Sequence, residues 1–164
     1  MKLHDTNYDN SKTGCCSLID ASKWDEQEFV WDNKLFVKDH VTSFFHIPLN
    51  FGTVVGRVQN KIEAAEAYPS DPFWLSDEVS LWGSDFYSTV DREVPDAEMQ
   101  TISGTFLSKV FEGSYKNMGS WTKEMTAYVE AKGKKVKKLY FYYTVCPKCA
   151  KEFGKNYVVI LAKV

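Results

Sequence analysis

The sequence has no long apolar run. Nowhere in its 164 residues does an apolar stretch approach the ~18 needed to cross a bilayer. The first thirty residues, polar and acidic, hold no apolar segment of the kind a secretion signal needs. Nor is there an excess of one charge: 20 basic against 22 acidic residues leave a formal charge of -2. No overall field is therefore present to hold nucleic acid or an anionic membrane. Cysteine is scarce, at four, and in the cytosolic setting these features suggest, Cys15, Cys16, Cys146 and Cys149 are expected as thiols or metal ligands instead of disulfides. A glycine-rich phosphate loop, a dinucleotide fingerprint and a Ser-His-Asp order are all missing, which leaves nucleotide chemistry unsupported.

What is present is periodic. Residues 1–22 are rich in Asn, Asp, Ser and Lys without a period, and read as a flexible arm ahead of one domain over residues 23–164, with Trp24, Phe29 and Trp31 as its first apolar anchors. Lys34 to Ile47 reads as a first strand ending at Pro48. Asn50 is placed to cap a helix whose Val55, Val58, Ile62 and Ala65 share one side. FWLSDEVS and SDFYSTVDREV read as a hairpin, and MQTISGTFLSKVFEG as a long strand. Ser120 is then expected to cap a helix striped by Trp121, Met125, Tyr128 and Val129 and ended by Gly133, before two strands, KLYFYYT and NYVVILAKV. The order is β-α-β-β twice over, most economically one antiparallel α+β sheet with both helices on one face.

KLYFYYT breaks the usual rule for such a sheet. A strand with one wet face alternates polar with apolar, yet here large residues point both ways. Either Tyr140 and Tyr142, or Leu139, Phe141 and Tyr143, must face away from the helices. Both sets are apolar, so the uncovered side is expected to be an aromatic cleft for a small molecule, or else a two-fold interface between copies.

The run Lys109-Val110-Phe111-Glu112-Gly113-Ser114-Tyr115-Lys116, with Trp121, Gly133 and Tyr140 after it, resembles the second half of a GyrI-like domain. That family includes the effector-binding domains of multidrug-sensing regulators. The chain also resembles small bacterial proteins described as hydrolases through their similarity to GyrI-like enzymes that open cyclopropane-bearing toxins. The resemblance implies two β-α-β-β repeats about a pseudo-two-fold axis, with a ring-lined cleft that takes flat, cationic, lipophilic molecules. The regulators' DNA-binding segment has no counterpart here, so a transcription-factor role is not expected. By position the implied wall is Trp82, Tyr87, Phe111, Tyr115, Trp121 and Tyr140.

For chemistry the implied pair is Glu112, a general acid or base if it lies among rings, and Tyr142, which would orient water or stabilise an oxyanion. The reaction would be hydrolytic opening of an electrophilic xenobiotic, without a cofactor; the alternative is a module that binds a drug and leaves it unchanged. Glu78 or Asp85 on the first hairpin could supply a second acid, and His40 and His46 fall on one strand face that could line the cleft. Cys146-Pro147-Lys148-Cys149 has zinc-knuckle spacing but is half a site, and only Cys15 and Cys16 could complete it. The run of lysines from Lys132 to Lys138 reads as a solvated turn at a helix C-terminus.

Overall fold

Gln27–Phe44 form one extended strand of 18 residues, β3, longer at its start than the segment from Lys34 expected from sequence. The difference lies at Asp32-Asn33, which reads as a turn. In the computed structural model, which describes residues 8–9, 18–45, 47–144, 151 and 154–164, Asn33 instead takes a left-handed kink within the strand, at φ 50°. Asn tolerates that conformation, and its N–H is satisfied by Ser103 Oγ at 2.8 Å. The chain is α+β, with antiparallel strands and, among the described residues, two α-helices, and it divides into two compact units.

One unit comprises Asp32–Ser103. In it β3 pairs with the short β4 (Ile47–Pro48) on one side and with β6 (Gly83–Thr89) on the other, and β6 pairs with β5 (Trp74–Ser80), all antiparallel. The hairpin turns on Leu81 and Trp82, as Ser80 faces Gly83. Helix α1, Phe51–Ala64, buries Val54, Val58 and Ile62, a spacing of four that makes Val54, not Val55, the inward residue. Arg57 fixes its side of the sheet by donating from Nε and Nη2 to Asp39 at 2.8 and 2.7 Å. Phe51 packs edge-on against Phe86 at 6.1 Å on the same side. Asn50 stands at the N-cap without capping: its Oδ1 accepts from Thr42 N–H at 2.8 Å instead.

The other unit comprises Gly104–Val164 with the described residues that precede Asp32. Its strands are the later part of β7 (Glu98–Glu112), β8 (Lys138–Tyr143) and β9 (Tyr157–Lys163), with β9 paired antiparallel to both others. Tyr8–Asp9 (β1) pair with Leu18–Ile19 (β2). A 3-10 turn, Tyr115–Asn117, precedes helix α2, which runs Met118–Ala131 and so starts two residues before the expected Ser120 cap. The hydroxyl that caps here is Ser114, accepting from Lys116 N–H at 3.3 Å. Trp121, Met125 and Val129 of α2 pack on Leu107, Phe111, Phe141, Val158, Ile160 and Ala162 as the core of this unit. Each fully buried side chain of this size is worth about 1.5 to 3 kcal/mol.

Candidate functional site

Alternation along β8 settles which rings leave the helix. Phe141 belongs to the core under α2 and Tyr143 packs against that core, so Tyr140 and Tyr142 point to the helix-free side. There Tyr142 meets Trp24 edge-on at 5.4 Å, Trp24 meets Phe29 at 5.5 Å, and Phe29 meets Trp31 at 6.4 Å. The chain of rings continues from Trp31 to Phe106 at 4.4 Å and from Phe106 to Tyr140 at 6.1 Å. Tyr140, Tyr142 and Phe106 are buried, while Trp24, Phe29 and Trp31 form the partly exposed outer layer.

Local hydrogen bonds place that outer layer. Asp20 caps a 3-10 turn over Ala21–Lys23, and Glu26 turns the chain with φ 52°. Between them, buried Ser108 Oγ donates to the Trp24 carbonyl and Val110 N–H donates to Asp25 Oδ1 at 3.0 Å. Both bonds tie residues 24–25 to β7. The same stretch, WDEQEFVWD, interleaves carboxylates with its rings. Burial, followed by the charge of Glu26 against the opposing Lys109, pushes the Tyr128 phenol up, with smaller contributions from Asp25 and Glu28.

The residues named from sequence fall into different environments. Phe111 and Trp121 stack on each other under α2, with centroids 5.7 Å apart, as core side chains. Tyr115 is exposed in the 3-10 turn and meets Tyr143 edge-on at 5.8 Å. Glu112 shares the helix-free side with Tyr142 but stands exposed at the end of β7, so the condition set for it, a place among rings, is not met. Tyr142 is fully buried. Tyr140 is buried as well, with Lys138 Nζ 5.4 Å from its ring centroid. Trp82 is 55% exposed and clusters with exposed Phe44 and Phe45 at 5.6 and 5.2 Å.

Tyr87 is buried on the helix-free face of the Asp32–Ser103 unit, edge-on to Phe36 at 6.1 Å. On that face the strand register sets His40 opposite Asp85 and Asp85 opposite Asp77, three side chains abreast. His40 Nδ1 lies 3.1 Å from Asp85 Oδ1, and Lys38 Nζ lies 3.6 Å from Asp85 Oδ2. Sequence reading singled out Asp85 and His40 separately; their pairing depends on a register that the sequence does not print. Glu78 is half-buried and accepts from Ser76 Oγ at 3.4 Å.

Among the described residues no group of three or more His, Cys, Asp or Glu is arranged to hold a metal. Cys15, Cys16, Cys146, Cys149 and His46 lie outside the described residues. Within them no helix is long and apolar enough to cross a membrane.

Residues 6–164 match the family model described as bacterial hydrolase. Two solved structures share the fold: a hydrolase from Listeria innocua, with TM-score 0.59 and 10% identity over 85% of this chain and 91% of that one, and an uncharacterized conserved protein from the same organism, with TM-score 0.56 and 11% identity over 84% and 91%. No curated protein matches the chain.

Proposed function

Since the chain belongs to the bacterial hydrolase family, we propose that it hydrolyses a flat, lipophilic small molecule, aromatic or cationic, that lies against the rings on the helix-free side of the Gly104–Val164 unit. One observation carries the choice of ligand: the outer rings Trp24, Phe29 and Trp31 are partly exposed and alternate in sequence with Asp25, Glu26, Glu28 and Asp32. Ring faces attract a desolvated cation by about 0.5 to 2 kcal/mol each, and carboxylates nearby favour the same charge. The GyrI-like resemblance supports this chemistry and adds an electrophilic xenobiotic as the molecule attacked.

Tryptophan fluorescence tests the binding. Ethidium is expected to quench it saturably and more tightly than uncharged phenanthridine. Trp24→Leu should weaken ethidium about tenfold, the equivalent of ~1.4 kcal/mol. Equal affinity of the variant for ethidium would remove this surface from recognition. Incubation with a cyclopropane-bearing alkylator, followed by mass spectrometry, tests the reaction: the expected product is heavier by one water. A second reading, a module that sequesters its ligand unchanged, draws on Glu112, which is exposed and so is not the ring-enclosed carboxylate the resemblance implies. Recovery of unaltered alkylator after saturable binding would favour it.

A further inference from the structure

We propose that the Asp32–Ser103 unit carries a hydrolytic centre of its own, in which His40 is the base that activates water and Asp85 and Gly83 position its imidazole. The inference goes beyond the ligand surface proposed above, which belongs to the other unit, and shares no residue with it.

Three features of the geometry set this pair apart from an ordinary surface contact, which would be worth little. The first is orientation. A carboxylate only accepts, so the 3.1 Å contact between His40 Nδ1 and Asp85 Oδ1 places the ring proton on Nδ1 and leaves the lone pair on Nε2. The second is a fixed ring. The imidazole lies across Gly83, where a Cβ would come within 2.5 Å of Nε2 and 2.6 Å of Cε1. Only a residue without a side chain leaves the ring that place. The third is access: the His40 side chain is 56% exposed and Asp85 only 19%, so the ring as a whole meets solvent while the group that orients it is more shielded. A ring held on one nitrogen by a carboxylate and reached by water is the arrangement that proton abstraction from water requires.

The charges facing the ring come from four strands. Asp85 on β6 bonds it, and Asp77 on β5 is buried next to Asp85 in the register. Lys38 on β3 contacts Asp85 Oδ2 at 3.6 Å and Glu98 on β7 at 3.8 Å.

The step suits an ester or comparable acyl electrophile. Nε2 takes a proton from water as the water oxygen bonds to the acyl carbon. The bond to the leaving oxygen breaks, and that oxygen recovers the proton from Nε2. One water is consumed, an acid and an alcohol are formed, and nothing is oxidised or reduced.

The test uses the full chain with p-nitrophenyl acetate and, separately, nitrogen-detected NMR of the histidines. At pH 8 His40 is expected as the Nδ1–H tautomer, and Asp85→Asn should lose that preference. The ester rate should rise with pH through one inflection, as a base that must be neutral requires. His40→Gln should lower kcat at least about 100-fold, leave KM within about threefold and abolish the inflection. Gly83→Ala should lower kcat about tenfold with KM unchanged, and thermal melts of each variant establish that it is folded. Wild-type kcat and inflection in folded His40→Gln would overturn the proposal, as would an Nε2–H tautomer of His40 at pH 8. Absence of ester hydrolysis by the wild type would overturn the catalytic role while leaving ethidium binding at the aromatic face intact.

Discussion

Two tryptophans show how far environment, not residue type, sets a role. Trp121 is buried beneath the sheet and stacked on Phe111, whereas Trp82 keeps 55% of its surface in water at a hairpin turn. Trp121→Ala should cost about 3 to 5 kcal/mol in urea unfolding, because it removes a filled volume from a core that cannot collapse around the gap. Trp82→Ala should stay within about 0.5 kcal/mol. The reverse order would mean that the exposed cluster with Phe44 and Phe45 is covered in solution. From sequence both residues fall in the same implied ligand wall, and only depth below the surface separates them.

At the scale of elements, the aromatic face depends on how the stretch before β3 is fastened to β7. Ser108 is fully buried and its hydroxyl bonds the Trp24 carbonyl. Ser108→Ala leaves that carbonyl without its donor, so a loss of about 1 to 2 kcal/mol is expected, together with a red shift of tryptophan emission as Trp24 loosens. Unchanged emission would show that the ring contacts alone hold Trp24. The elements themselves were legible where pattern was strong: the stripe Trp121, Met125, Val129 forecast α2, and the apolar runs forecast β8 and β9. Boundaries were less so. The earlier start of β3 was hidden because Asp32-Asn33 has turn chemistry that the strand absorbs as a single left-handed residue.

Over the whole molecule, stability against pH is expected to fall at both ends for identifiable reasons. Burial alone would raise the Asp39 carboxyl, but hydrogen bonds from Arg57 and the His40 N–H outweigh it and hold it below the usual range. Its contribution is therefore present above the unfolded value near 4 and is lost as pH falls through the lower folded value. Asp39→Asn should be about 1 kcal/mol less stable at pH 7 and equal to the wild type near pH 2. At the alkaline end, burial and then Glu63 push the Tyr68 phenol up to about 12. Its stabilising share is complete below about pH 10 and disappears as pH rises towards 12. Among the described residues the buried Tyr68 hydroxyl has no hydrogen-bond partner, so Tyr68→Phe should melt no lower than the wild type at pH 7 and resist alkali better. Parallel melting curves from pH 7 to 11 would refute that account.

Some of this protein was decided by sequence alone. Hydrophobic spacing and turn chemistry are local properties, and they sufficed for the α+β class, both helices, and the aromatic character of the strand at KLYFYYT. Which rings face the helix, that Glu112 ends in water, and that His40, Asp85 and Asp77 stand abreast are consequences of register and depth. A shift of one residue in strand pairing would exchange every one of those faces, and that choice is made only when distant segments pack together.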